Sequence, residues 1–220
     1  MIIDFHAHLC DLNKDFDGLI LNTGYSDACN HAIPKRGVFA LGIAPQYAES
    51  FKPEWLAYIE SQKPPAIGEI GLDGKYWHPR QMELLRLQLD IAEKLSVPIV
   101  VHSRMAEEKL FGVLLKRHWR LPVIFHFYSG PEDLAERIIT ELDGYISFPP
   151  RFSARRRRLA ARLPLTRMVI ESDCPYVGED PTATEKVKAE IAQLRGIDPT
   201  DVEQTLVSTW QRLFGKGVLK

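Results

Sequence analysis

Cysteine is scarce in this chain: three residues, Cys10, Cys29 and Cys174, with no C-x-x-C spacing among them. An odd count without paired spacing argues against a disulfide framework. It fits reduced thiols, so a cytoplasmic setting is expected. Long hydrophobic runs are lacking as well. Residues 97–101 and 121–125 are typical of the longest apolar stretches, far below the ~18–20 residues that a membrane-spanning helix needs. Residues 1–10, MIIDFHAHLC, carry neither the basic nor the long apolar region of a signal peptide. One-sided charge is missing too: 28 basic residues face 29 acidic ones, for a formal net charge of −1. A chain so balanced has no overall field for coating nucleic acid, and any such contact must be local. Repeats, low-complexity segments and Ser/Gly linkers are absent, so one domain over residues 1–220 is expected.

What is present is core-forming material. Apolar residues make up 45% of the chain and charged residues 26%, the balance of a globular protein rather than a disordered one. Eight apolar runs of strand length occur, at residues 2–5, 19–22, 38–43, 66–68, 98–101, 122–125, 145–148 and 167–170. Helical periodicities lie between several of them. Leu84, Leu87, Ile91 and Leu95 recur at spacings of three and four, as do Leu110, Phe111, Leu114 and Leu115 after the fifth run. Leu134, Ile138 and Ile139 follow the sixth run, and two more helices are expected over residues 182–194 and 199–214. Parallel strands need crossovers, usually helical, and strands buried on both faces read as continuous apolar runs. Eight such runs predict an α/β fold, a (β/α)₈ TIM barrel of minimal length and somewhat distorted, with an open doubly wound sheet as the alternative.

The polar residues that end these runs carry the chemistry. The first run ends in His6-Ala7-His8; alternate strand residues share a side, so both imidazoles can aim at one point. The fourth ends in Glu69, the fifth in His102 and the sixth in His126, and Asp173 follows the eighth. In a parallel barrel those ends converge on one mouth. Imidazole and carboxylate suit Zn²⁺ and, with more oxygen, Mn²⁺ or Mg²⁺. Six donors exceed one tetrahedral ion but suffice for two divalent ions that share a bridging carboxylate. His31, His78 and His118 read as ordinary surface or packing residues.

The motifs DFHAHL, IGEIGLD, VHSR, FHFYSG and ESDCPY, in this order and spacing, resemble the TatD family of metal-dependent hydrolases, within the amidohydrolase-like barrels. The resemblance spans residues 1–176. It implies a distorted barrel, a site for one or two metals and, for several members, 3′→5′ exodeoxyribonuclease activity. Carried over residue by residue, His6, His8 and Asp173 would hold one metal and His102 and His126 the other, with Glu69 between them. Asp173 would act as general base beside a metal-bound hydroxide. Glu171 would either orient a ligand imidazole or serve as a plain strand-end carboxylate. The chain departs from the family pattern at Gly42-Ile43-Ala44-Pro45, where a histidine usually stands at Ala44. It departs again in a short segment after Tyr176, and at Ser208 to Phe214, where an Asn normally precedes Leu-Phe.

On the substrate side, Arg104 could grip a phosphate oxygen or pair with a carboxylate such as Asp73. Tyr128 and Phe127 could stack on a base, as could Tyr176 and Trp77, or pack between loops. Arg151, Arg155, Arg156, Arg157, Arg158 and Arg162 form a basic cluster, a solvated outer helix face by default and a phosphate-tracking patch as the sharper reading. Cys10 and Cys174 lie near ligand motifs but read as packing residues. The leading functional expectation is a phosphodiesterase acting on DNA ends. Hydrolysis of a small amide, lactone or phosphate ester on the same dinuclear site is the alternative, and a non-catalytic metal-bound scaffold the third. No membrane partner is expected.

Overall fold

The structure, a computed structural model, describes residues 1–8, 18–24 and 38–215, with backbone alone at 22–24. Eight parallel strands follow one another around a single sheet: β1 (Ile2–His8), β2 (Gly18–Gly24), β3 (Val38–Leu41), β4 (Ala66–Gly71), β5 (Ile99–His102), β6 (Val123–Phe125), β7 (Gly144–Phe148) and β8 (Met168–Ile170). All eight expected runs are strands. The helices are α1 (Pro53–Gln62), α2 (Arg80–Leu95), α3 (Glu107–Lys116), α4 (Glu132–Glu141), α5 (Ala154–Arg162), α6 (Ala183–Arg195) and α7 (Pro199–Phe214). Sequential pairing in order, with helical crossovers between the strands from β3 to β8, gives a nearly closed TIM barrel, and the open-sheet alternative falls away. The expected link between the second and third runs lies largely at residues 25–37, outside the described residues.

The interior is an apolar core. Ile67, Val100, Ile124, Ile146 and Val169 are fully buried in their strands, and Leu85, Leu89, Leu110 and Ile138 seal the helices onto them. Burying a side chain of this size stabilises the fold by about 1.5–3 kcal/mol. Helix ends are defined by local chemistry. The Ser153 hydroxyl accepts the Arg156 N–H at the start of α5, and the Asp198 carboxylate accepts the Thr200 N–H at the start of α7, with Pro199 in its first turn.

The sheet is least regular where it closes. Among the described residues no strand ladder joins β8 back to β1. The segment after β8 closes the gap instead: His8 N–H donates to the Cys174 carbonyl at 2.8 Å, and Asp173 N–H to the His6 carbonyl at 3.0 Å. Asp4, fully buried, reinforces this seam, its Oδ1 accepting the backbone N–H groups of His6 and Ser172. Burial pushes the Asp4 carboxyl up to about 7 against the pull of its Ser172 hydrogen bonds. No helix of the described residues is long and apolar enough to cross a membrane.

Candidate metal centre

The C-terminal ends of β1, β4, β5 and β6, with the segment after β8, bring six donor residues together. On β1, His6 and His8 project to the same side as their spacing requires, with their Nε2 atoms 3.3 Å apart. Asp173 Oδ1 lies 3.3 Å from His8 Nε2 and 3.8 Å from His6 Nε2. Its backbone is left-handed, φ 49°, a conformation aspartate tolerates better than most residues. Glu69 stands between the two groups of imidazoles. Its Oε2 is 3.9 Å from both His6 and His8, while its Oε1 is 2.5 Å from His102 Nδ1 and 3.6 Å from His126 Nε2. Each oxygen of one carboxylate thus faces its own histidine pair. Sets of three donor atoms lie within 4.8 Å of one another in three overlapping groups: His6, His8 and Glu69; Glu69, His102 and His126; and His6, His126 and Asp173.

Two further carboxylates hold the second pair of imidazoles. Asp73 Oδ2 is 3.0 Å from His102 Nε2, and Asp73 Oδ1 accepts the backbone N–H groups of Lys75 and Tyr76. Asp73 is therefore committed to His102 rather than to Arg104, and the reading of it as a salt-bridge partner for Arg104 is corrected. Glu171 is fully buried; one oxygen lies 3.3 Å from His126 Nδ1, and Oε1 accepts the Phe127 N–H at 2.8 Å. Ser147 donates to Glu171 at 2.5 Å. Of its two readings, the structure supports the imidazole-orienting one. Gly71 permits the approach of β4 to β5 here: its φ is +144°, and a Cβ there would meet the His102 carbonyl oxygen at 2.0 Å.

Electrostatics separate the imidazoles. Burial disfavours charge on His6, and the neighbouring His126 and His8 rings add to this, so its pKa falls well below the usual imidazole range. Burial opposes charge on His102 and His126 as well. There, Glu69 and Asp73 overcome it at His102, pushing it up to about 9, and Glu171 and Glu69 do so at His126, pushing it up to about 10. Burial raises the Glu69 carboxyl, but the His126 and His102 rings outweigh it and hold the group well below its ordinary value.

A cavity of about 410 Å³ opens onto this cluster, lined by His102, Arg104, His126, Phe127, Arg151 and Asp173 among others. Arg104 reaches it as the sequence suggested and makes no ion pair among the described residues. Tyr128 does not reach it. It is 1% exposed, its hydroxyl donates to the Pro131 carbonyl at 2.6 Å, and its ring packs edge-on against Phe125. The assignment of Tyr128 to substrate stacking is thus corrected: the chain turns at Phe127, φ 48°, so Phe127 lines the cavity and Tyr128 goes beneath it. Trp77 lies under the Lys109 ammonium, and Tyr176, 62% exposed, meets the His8 ring edge-on. His78 accepts the Arg80 N–H and His118 is exposed, both as expected; His31, Cys10 and Cys29 lie outside the described residues. Cys174 is buried, with its thiol against the Glu179 carbonyl.

A family model described as TatD related DNase matches residues 3–215. The chain belongs to the TatD family. Among its TatD relatives is an uncharacterized metal-dependent hydrolase of Methanocaldococcus jannaschii, 33% identical over 159 residues, which are 68% of this chain and 62% of that one. The human deoxyribonuclease TATDN3 is 31% identical over 170 residues, 69% of this chain and 60% of that one. The matched region thus spans less than two thirds of the length of either relative. The crystal structure of YjjV, a TatD homolog from Escherichia coli K12, superimposes with a TM-score of 0.77 at 24% identity, over 97% of this chain and 99% of that chain. The TatD barrel is therefore shared across nearly the whole chain.

Proposed function

We propose that this protein is a divalent-metal-dependent hydrolase of phosphodiester bonds that acts on DNA ends in the 3′→5′ sense. The observation that carries this reading is Glu69, whose two oxygens face two separate imidazole pairs at the mouth of the barrel, beside an open cavity. The human relative's name, deoxyribonuclease, supports the substrate class. Four imidazoles and two carboxylates suit borderline and hard divalent ions such as Zn²⁺, Mn²⁺ or Mg²⁺. His6, His8 and Asp173 would hold one ion and His102 and His126 the other, with Glu69 shared. Ions held there would supply Lewis acidity and lower the pKa of a bound water toward ~7.

The remaining work falls to the chain's own groups. Asp173, beside His8, would accept the proton of the attacking water at a carboxylate oxygen. Asp73 and Glu171 would fix the His102 and His126 rings, so that donor nitrogens rather than N–H groups face Glu69. Arg104 would hold the substrate at the cavity wall through one of its phosphate groups. Phosphodiester oxygens and Asp173 would then meet without a search over side-chain rotamers.

The same donors polarise a carbonyl, and a cavity of about 410 Å³ also suits a compact ester, amide or lactone. The test is elemental analysis of the purified protein, followed by a screen of metals against oligodeoxynucleotides, phosphate esters and chromogenic carboxylic esters. Deoxynucleotide release that needs Mg²⁺, Mn²⁺ or Zn²⁺ is the expected result. Turnover of carboxylic esters alone would replace the nuclease reading with the small-molecule one.

A further inference from the structure

The arginine cluster that the sequence sets around α5 divides in the folded protein. Arg158 and Arg162 pair with Glu132 and Glu136 on α4, and Arg157 pairs with Glu190 on α6. Arg155 donates to the Ser129 carbonyl. Arg156 is buried and spends its guanidinium on the carbonyls of Tyr128, Arg151 and Phe127 while lying 4.5 Å from the Phe127 ring. Arg151 differs from all of these. Its side chain forms no ion pair or hydrogen bond among the described residues, it is exposed, and it lines the cavity with Arg104, His102, His126 and Asp173. Its backbone carbonyl is the one gripped by Arg156 Nη1, at 2.8 Å, so the loop that carries it is fastened from below.

Two guanidiniums that lack carboxylate partners therefore share one cavity with the ligand cluster, one from the loop after β5 and the other from the loop after β7. Neither guanidinium is met by a carboxylate among the described residues, so an anion entering the cavity finds two open sets of donors. Arginine offers planar donor pairs matched to phosphate.

We infer that Arg151 and Arg104 form a second phosphate subsite, distinct from the metal centre, that binds the phosphate group next to the one being cut. This rests on the phosphodiesterase reading and narrows its substrate: a chain with at least two phosphates is preferred to one with a single phosphate. Arg156 is a positioning residue for this subsite through the Arg151 carbonyl. The other arginines of the cluster are spent on the fold and do not track a nucleic-acid backbone.

The direct test is calorimetric titration of inorganic phosphate into the chelator-treated full chain. Wild type binds, Arg151→Ala weakens binding by about tenfold or more, as expected for loss of a charge-assisted pair, and Arg158→Ala matches wild type. Arg151→Lys recovers part of the loss because it keeps the charge but not the fork. Equal binding by wild type and Arg151→Ala overturns the subsite, provided both show the same thermal midpoint. The second arm uses the metal-loaded enzyme on thymidylyl-thymidine with and without an added terminal phosphate. The extra phosphate should lower KM in wild type and not in Arg151→Ala. If no phosphodiester is cut under any metal, the functional reading fails while the titration still decides the subsite. If cleavage occurs but the added phosphate has no effect in wild type, the subsite alone is overturned.

Discussion

The two halves of the donor cluster are built differently. His102 and His126 are each backed by a carboxylate beyond Glu69, Asp73 for the first and Glu171 for the second, and both rings carry raised pKa values. His6 and His8 instead face each other and Asp173 at the barrel's closing seam, and burial drives the charge off His6. One half is backed by two carboxylates beyond Glu69; the other packs its rings against each other, against Asp173 and against the rings of His126 and Tyr176. Orientation of the first half depends on those two carboxylates, and placement of Asp173 beside the second depends on closure of the seam.

The largest effects should come from the residues common to both halves or nearest the reacting water. Asp173→Asn should lower kcat by about 10²–10⁴ with the fold intact, measured as nucleotide release from an oligodeoxynucleotide under the best metal. Glu69→Gln should weaken uptake of both ions, whereas His8→Ala and His102→Ala should each cost one; ion counts by elemental analysis that fall equally in all three variants would erase the division into halves.

Next in size, Glu171→Gln and Asp73→Asn should each weaken metal affinity by about 10–100-fold, read by competition with a chromogenic chelator. An undisturbed affinity in both would show that those carboxylates serve packing only. Smaller again is a proton signal. In the metal-free protein His102 and His126 hold their protons up to about 9 and 10. Raised values of this kind stabilise the fold fully below the free imidazole value of ~6.5, and that contribution is lost as pH rises through the folded values. Metal ligation needs a neutral ring, so loading at pH 7.5 should release protons, and affinity should climb with pH. His102→Ala should reduce the release more than His6→Ala does, as followed with a pH indicator in weak buffer. Smallest of all, Arg158→Ala should move the thermal midpoint by no more than a few degrees, because its guanidinium is itself largely exposed.

Strand ends are readable in this chain because His6, Glu69, His102 and His126 directly follow apolar runs, and such runs mark the element whose end each donor occupies. α1 was not read, since Ile59 is its single fully buried residue and its apolar stripe is too thin to register. The partnership of Asp73 with His102 was hidden by distance in sequence, although the i, i+4 offset from Glu69 through Gly71 was visible. Tyr128 misled because adjacency to His126 says nothing about a left-handed turn at Phe127. Arg151 was submerged in a run of like charges, and only the acids of α4 and α6 distinguish it from its neighbours.

The amides of His8 and Asp173 that join β1 to the segment after β8 belong to residues whose side chains are also donors. Breathing at that junction would move three candidate ligands together, so the ions would act as a latch across it. Stripping them should let these two amides exchange deuterium sooner than the amide of Val101, deep in the barrel wall, with little change elsewhere.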